Sequence, residues 1–364
     1  MSVRVLLVSS LPPPEGGIST WTCVALASPL AEEFEIRVLD TAPPDKQGVS
    51  AERIFRPVRA VAAVRVLLRA VWLFLWFRPH VVHVNTPYAW AFVRDGAVCW
   101  LAWLFRVRSL LHFHGSLFPD FVESLGPWAR KIIWATLERC SLLVALESKT
   151  SNYLRSGIRR ARVVELPNPI AMEAFSGVPP VRRGSDRPVE ILYVGWVVES
   201  KGIRELLEAV EGNPGVRLSL LGPEEPEFLQ KIEPLLQRLG DRVVRMGACP
   251  YERVIEAFAQ SDIHVLPSHV EAFPFVVLEA MAAGRPVVAT DVGAISEMVR
   301  DGVDGFVVPP RETSALAERL SQLAVDEDLR VRMGANGKVR VEENYSVSVV
   351  LGRLAEFYRE LAED

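Results

Sequence analysis

Cysteine is scarce. The four residues Cys23, Cys99, Cys140 and Cys249 lie far apart and form no Cys-x-x-Cys pair. Neither a disulfide framework nor a zinc ribbon is indicated, and a reducing cytoplasm is the expected compartment. Long apolar runs are also lacking: residues 71–77 and 97–105 fall well short of the roughly 18 that a membrane-crossing helix needs. The chain opens on the strand-like Val3-Arg4-Val5-Leu6-Leu7-Val8, and no signal peptide is expected. The turn after it carries neither Gly-x-Gly-x-x-Gly nor a P-loop, which removes the dinucleotide and nucleoside-triphosphate fingerprints. The basic residues come with aliphatic neighbours and no RNA- or DNA-binding motif, so no nucleic-acid partner is expected.

What is present is a globular composition, 49% apolar and 24% charged, in 364 residues. That length is too great for one typical core and suits two domains. Charge is uneven: residues 1–175 carry 20 Lys+Arg against 14 Asp+Glu, a balance of +6, and the remainder carries 21 against 31, or −10. Short apolar runs alternate with longer amphipathic ones, the pattern of βαβ units and a parallel sheet. Strands are expected near 3–9, 35–39, 81–85, 109–113, 142–146 and 163–166, then near 189–194, 216–221, 242–246, 263–266 and 287–290. Between these groups, residues 176–188 are rich in Pro, Gly and Arg and read as an exposed linker.

Polar chemistry gathers in residues 268–284, Ser-His-Val-Glu-Ala-Phe-Pro-Phe-Val-Val-Leu-Glu-Ala-Met-Ala-Ala-Gly. A buried strand should run into Pro267 and a loop, with Pro274 at the first helical position and an apolar helix continuing to Gly284. Glu271 then lies in the loop and Glu279 on the helix. First-turn amides have no carbonyl partner inside the helix, so its N-terminus can hold a phosphate or a sugar hydroxyl. A helix with glutamate at its favourable end would read the same way. Gly16-Gly17-Ile18-Ser19-Thr20 follows the first strand, where glycines let amides approach an anion or simply make the turn. His112 and His114 stand at a strand end, where open α/β sheets place their ligands. With His83 they could in principle meet a metal, but no carboxylate or cysteine completes a ligand set and no metal is expected.

From Glu271 to Ala289 the sequence Glu-Ala-Phe-Pro-x-x-x-Leu-Glu-Ala-Met-Ala-x-Gly-x-Pro-Val-Val-Ala resembles the nucleotide-sugar signature of the family 4 retaining glycosyltransferases. The resemblance implies an α/β GT-B fold, two doubly wound Rossmann-like domains facing across a cleft. Residues 1–172 would bind the acceptor and 173–345 the nucleotide sugar, with the last helix, 346–364, crossing back to the first domain. It implies that Glu271 contacts hydroxyls of the donor sugar and Glu279 the ribose. The backbone of Phe273, Pro274, Phe275 and Val276 would face sugar and diphosphate. Gly16, Gly17 and Thr20 match a Gly-Gly-x-x-Thr loop implied to lie at the diphosphate or acceptor. His114 matches a histidine near the reacting centre, while His112 is expected to pack. Gly195 and Lys201 match the family's Gly-Arg-x-x-x-x-Lys-Gly, in which the lysine offsets diphosphate charge. Trp196 departs from it, standing where the family has arginine.

The implied activity is transfer from a UDP- or GDP-type sugar, with no cofactor, to a saccharide or lipid-linked saccharide in cell-surface polysaccharide assembly, with His114, Lys201 and Glu271 as the catalytic set. A non-hydrolysing nucleotide-sugar epimerase shares the fold. A nucleotide-sugar-binding protein without turnover is the third reading, motivated by Trp196. Finally, residues 56–78 hold arginines at 56, 59, 65, 69 and 78, several Trp and Phe, and no acid. Such a helix can lie against anionic headgroups at the inner face of a membrane, and it can equally pack on a sheet with its arginines solvated.

Overall fold

The computed structural model describes residues 2–13, 15–42, 56–87, 89–181 and 187–363. They divide into two compact units, 1–169 with 347–364, and 170–346. In the first unit, strands β1 (Arg4–Ser9), β2 (Glu35–Asp40), β3 (Val81–Thr86), β4 (Arg108–Phe113), β5 (Leu142–Ala145) and β6 (Arg162–Glu165) form one parallel sheet in the order β2-β1-β3-β4-β5-β6. All six residues of β3 are buried. Helices cover both faces of such a sheet, so its central strands read as continuous apolar runs. The strand order reverses between β1 and β3, and open α/β sheets bind ligands beyond the carboxyl ends of strands at such a reversal. The last helix, Val347–Glu363, packs on this unit: Tyr358 hydrogen-bonds His83 Nδ1 at 2.5 Å and meets Phe34 edge-on.

The second unit repeats the plan with β7 (Val189–Val194), β8 (Val216–Leu221), β9 (Val243–Gly247), β10 (Ile263–Leu266), β11 (Val287–Thr290) and β12 (Gly305–Val308), in the order β12-β11-β10-β7-β8-β9. The chain moves outward from β7 to β9, then returns to lay β10 on the other side of β7, with Ile263 beside Ile191. The reversal therefore falls between β7 and β10. Strand β12 was not among the expected strands. Parallel pairing of Gly305 with Val287 and Val308 with Thr290 makes it an edge strand.

Two expectations need correction. Pro274 is not the first helical residue; its ψ of 122° is extended, and the helix runs Phe275–Ala282 with Pro274 as its N-cap. The linker is exposed as expected at Ser176, Gly177, Pro179, Pro180 and Pro188, but it is not free of the second unit. Val178 and Val181 are buried, Arg285 donates to the Pro179 carbonyl at 2.8 Å, and Arg187 grips Asp262 through two 2.7 Å bonds. Two valines and a paired arginine anchor this stretch to the second unit; residues 182–186 of the expected linker lie outside the described residues.

Candidate active site

In the second unit, the loops that leave β7 and β10 carry Lys201 and Glu271. These side chains meet: Lys201 Nζ lies 2.6 Å from Glu271 Oε1, and the Ser268 hydroxyl donates to the same oxygen at 2.6 Å. Glu271 is mostly buried and Lys201 about a quarter exposed. The pair stands where the strand order reverses. Lys201 closes a short 3-10 turn, Glu199–Lys201, and Gly202 follows with φ 65°. A Cβ at Gly202 would overlap the Pro267 carbonyl, so only glycine lets the lysine loop close on the end of β10. The two loops are also tied together by His269, whose amide donates to the Ser200 carbonyl and whose Nε2 lies 2.9 Å from Glu205.

Downstream of Glu271 the Phe273 ring is buried against Tyr345 and steers the chain into Pro274. No side chain caps the helix Phe275–Ala282. The first-turn amides of Phe275 and Val276 therefore face away from the helix body as donors for an anion. Glu279 projects from this helix, only 6% exposed. Burial pushes its carboxyl up to about 7, against a smaller opposing pull from a Tyr251 hydrogen bond. Gly195 follows β7, where the buried Tyr193 hydroxyl donates to the Trp196 carbonyl at 2.7 Å, and the Trp196 ring is 44% exposed.

In the first unit, Gly16 is the N-cap of the helix Gly17–Leu26, which no side chain caps. The Thr20 amide donates to the Gly16 carbonyl. A Cβ at Gly16 or Gly17 would meet nothing within 4 Å, so packing in the described residues does not demand glycine at either position. His114 follows β4, half-buried, with Nε2 3.0 Å from Asn85 Oδ1. His83, His112 and His114 all lie around the buried Trp21 ring. Burial holds His112 down at about 3, and burial with its histidine neighbours holds His83 and His114 well below the usual imidazole range. Packing, as expected for His112, accounts for its ring. No group of three or more His, Cys, Asp or Glu among the described residues has an arrangement that could hold a metal ion.

The structure thus brings together Lys201 and Glu271 directly, places Phe273 to Val276 and Glu279 along the adjoining helix, and sets Gly195 at the end of β7. Gly16, Gly17 and Thr20 follow the carboxyl end of β1, and His114 that of β4, in the first sheet. Sequence reasoning missed Ser268, although serine three residues before Glu271 is close enough in the chain to reach it. It also missed Tyr251 as the partner of Glu279, and Asn85 behind His114. Both come from distant stretches that only the fold makes neighbours.

Two family models match the chain: Glycosyl transferases group 1 over residues 181–340 and Glycosyltransferase Family 4 over residues 19–174. The chain belongs to the group 1, family 4 glycosyltransferases. Over 182 residues this glycosyltransferase is 34% identical to the alpha-D-kanosaminyltransferase of Streptomyces kanamyceticus, covering 48% of this chain and 46% of that protein. Over 171 residues it is 32% identical to the capsular polysaccharide biosynthesis glycosyltransferase CapM of Staphylococcus aureus, covering 46% and 44%. The matched region thus spans less than half the length of either relative. Among solved structures, sucrose-phosphate synthase from Thermosynechococcus elongatus aligns over 99% of both chains with a TM-score of 0.81 at 23% identity. HepE of Anabaena in complex with UDP-glucose aligns with a TM-score of 0.75 at 20% identity, covering 98% and 99%. These likenesses establish the fold, the GT-B type with two doubly wound units.

Proposed function

We propose that this glycosyltransferase moves a sugar from a nucleoside-diphosphate sugar to a hydroxyl of a saccharide or lipid-linked saccharide, with retention at the anomeric carbon. The observation that carries the proposal is the meeting of Lys201 and Glu271 at the β7/β10 reversal, beside an uncapped helix that carries Glu279. Each part suits one part of such a donor. The Phe275 and Val276 amides and Lys201 suit the diphosphate, Glu271 the sugar hydroxyls, and Glu279 the ribose. In this reading His114 lies near the reacting centre, and Gly16, Gly17 and Thr20 serve the diphosphate or the acceptor.

The acceptor oxygen attacks the anomeric carbon from the face that the diphosphate leaves. The sugar–phosphate bond breaks, and the acceptor proton passes to the departing phosphate oxygen. Lys201, released from Glu271 by the incoming diphosphate, stabilises the charge that grows on the leaving group. Lys201 and the helix amides, with no metal, offset the phosphate charge in this scheme. Support for a sugar-nucleotide donor and a polysaccharide-type product comes from family membership, from relatives named for kanosaminyl transfer and capsular polysaccharide, and from a neighbour of the same fold solved with UDP-glucose.

A membrane-borne acceptor is part of the same proposal. The helix Arg56–Trp76 turns Val61, Val64, Leu68, Trp72, Leu75 and Trp76 outward, all more than half exposed. Arg65 and Arg69 are exposed on the same helix. At its end an open depression of about 670 Å³ is lined by Arg4, Arg37, Arg78, Trp76 and Glu35 among others. Apolar side chains bordered by arginines suit the interface of an anionic bilayer. No helix among the described residues is long and apolar enough to cross one.

The exposed Trp196 ring, where the family has a diphosphate-binding arginine, favours a second reading, a nucleotide-sugar binder without turnover. A thermal-shift panel of UDP, GDP and ADP sugars, followed by product analysis with the donor it selects, separates the two. A ligand present at about 100 times its Kd adds about 2.7 kcal/mol of stability. Stabilisation followed by sugar transfer is the expected result. Stabilisation without transfer or isomerisation would leave the binder, isomerised sugar would mean an epimerase, and a flat panel would remove the donor assignment.

A further inference from the structure

Behind His114 runs a chain of hydrogen bonds whose direction can be worked out from its far end. The Thr22 hydroxyl lies 2.8 Å from the Ile18 carbonyl, which can only accept, so Thr22 spends its one proton there. Ser9 Oγ stands 2.6 Å from Thr22 Oγ1 and must therefore be the donor between them. With its own proton used, Ser9 can only accept from Asn85, and the Asn85 Nδ2 amino group lies 2.9 Å away. That orients the Asn85 amide: its oxygen faces His114 Nε2 at 3.0 Å, and the histidine nitrogen must carry a proton to meet it. Asn85 also stands beside His83. Ser9, Thr22 and Asn85 are all buried, so little water competes for these bonds. The His114 amide is fixed as well, donating to the Thr86 carbonyl at 2.8 Å.

We propose that Asn85 is a positioning residue that locks His114 as the Nε2–H tautomer, leaving Nδ1 as the hydrogen-bond acceptor that the ring offers to a substrate hydroxyl. The hydroxyl contact rests on the transferase reading; the tautomer lock rests only on the bonds above. His83, His112 and Tyr358 are titratable neighbours, and burial holds the two histidines neutral and the phenol protonated. Burial and the neighbouring His112 and His83 disfavour its imidazolium, so His114 stays neutral near pH 7. It then acts on substrate by accepting, not by donating, a proton in a hydrogen bond.

The test is long-range 1H–15N correlation on the full chain labelled with [15N]histidine, with His114→Asn used to assign the ring. The expected wild-type pattern is a protonated Nε2 and an unprotonated Nδ1, unchanged from pH 6 to 8. Asn85→Asp keeps an acceptor toward His114 and should keep the Nε2–H form, whereas Asn85→Ala should give a mixture of tautomers. If Asn85→Ala fails to fold, Ser9→Ala, which frees the Asn85 amide to turn over, should give a mixture too. A wild-type Nδ1–H form, or tautomers indifferent to Asn85→Ala and Ser9→Ala, would overturn the lock. With an active donor and acceptor pair, Asn85→Ala should lower kcat by about tenfold, the scale of one misplaced hydrogen bond, with donor KM little changed. Equal loss of kcat and of thermal stability would mark Asn85 as merely structural. Absence of any transfer by the wild type would sink the hydroxyl contact and leave the tautomer to be decided by the spectrum alone.

Discussion

Glu279 stands in a helix whose neighbouring residues Val277, Leu278, Ala280 and Met281 are all buried. Desolvation disfavours its charged form, and this lifts the carboxyl from 4.5 to about 7. Because the folded pKa lies above the unfolded one, the stability tied to this group is fully present below about pH 4.5. It is lost as pH rises through about 7, a change on the order of 3 kcal/mol. Glu279→Gln should remove this dependence, so urea unfolding at pH 5 and pH 8 should show the wild type losing stability relative to the variant. Ribose hydroxyls would favour the charged form, so nucleotide binding near pH 6.5 should release a proton. Calorimetry in buffers of different ionisation heat measures it, and proton uptake would count against Glu279 as the ribose ligand. At this scale the glutamate and its helix were legible in the sequence, whereas its raised pKa came from burial in the surrounding core, against the pull of the Tyr251 hydrogen bond, and no spacing reveals either.

At the scale of elements, the Lys201 and Glu271 loops depend on two glycines pressed against carbonyls. Gly202 closes on Pro267, and Gly293, with φ 57°, closes on Glu271. Alanine at Gly202 meets both a left-handed backbone, costing about 1–2 kcal/mol, and a steric overlap that must push the loop away from β10. Gly302, with φ 74°, has nothing within 4 Å of an added Cβ. Gly202→Ala should therefore lower Tm more than Gly302→Ala, by several degrees at roughly 2–4 °C per kcal/mol, and should also weaken nucleotide-sugar binding. Equal losses in the two variants would mean that close approach is not what requires glycine. Most strands fell within a residue or two of their expected positions because buried parallel strands are bounded apolar runs. β12 was not among them; it is a four-residue strand at the edge of its sheet.

For the whole molecule, the outward face of the helix Arg56–Trp76 bears on where the protein works. Trp72 and Trp76 stack at 5.0 Å, and the Arg37 guanidinium lies 5.8 Å from the Trp76 ring. A helix merely packed on its sheet would keep these rings inside; here Leu73 and Phe74 fill the core and the tryptophans do not. The protein should co-sediment with phosphatidylglycerol vesicles and not with phosphatidylcholine ones, and should release as salt shortens the screening length. Each arginine near the surface contributes about 1 kcal/mol, so replacing Arg65 and Arg69 together should weaken binding markedly. Replacing Trp72 and Trp76 with serine should weaken it by removing buried apolar area. Vesicle binding indifferent to lipid charge would contradict the docking proposal.

By itself the sequence determined the class of fold and the family, since apolar periodicity sets strand and helix order and the 271–289 stretch is too long and particular for coincidence. It also placed Glu271 in a loop and Glu279 on a helix, because local rules of turns and helix ends act over a few residues. Only the tertiary structure decided that Lys201 and Glu271 pair, that Tyr251 reaches Glu279, that Asn85 stands behind His114, and which face of the 56–76 helix meets solvent. The first three are contacts between stretches tens of residues apart, and the last depends on what packs against the helix. Such contacts arise from strand order and from which groups lose water on folding, and neither is a property of any local run of residues.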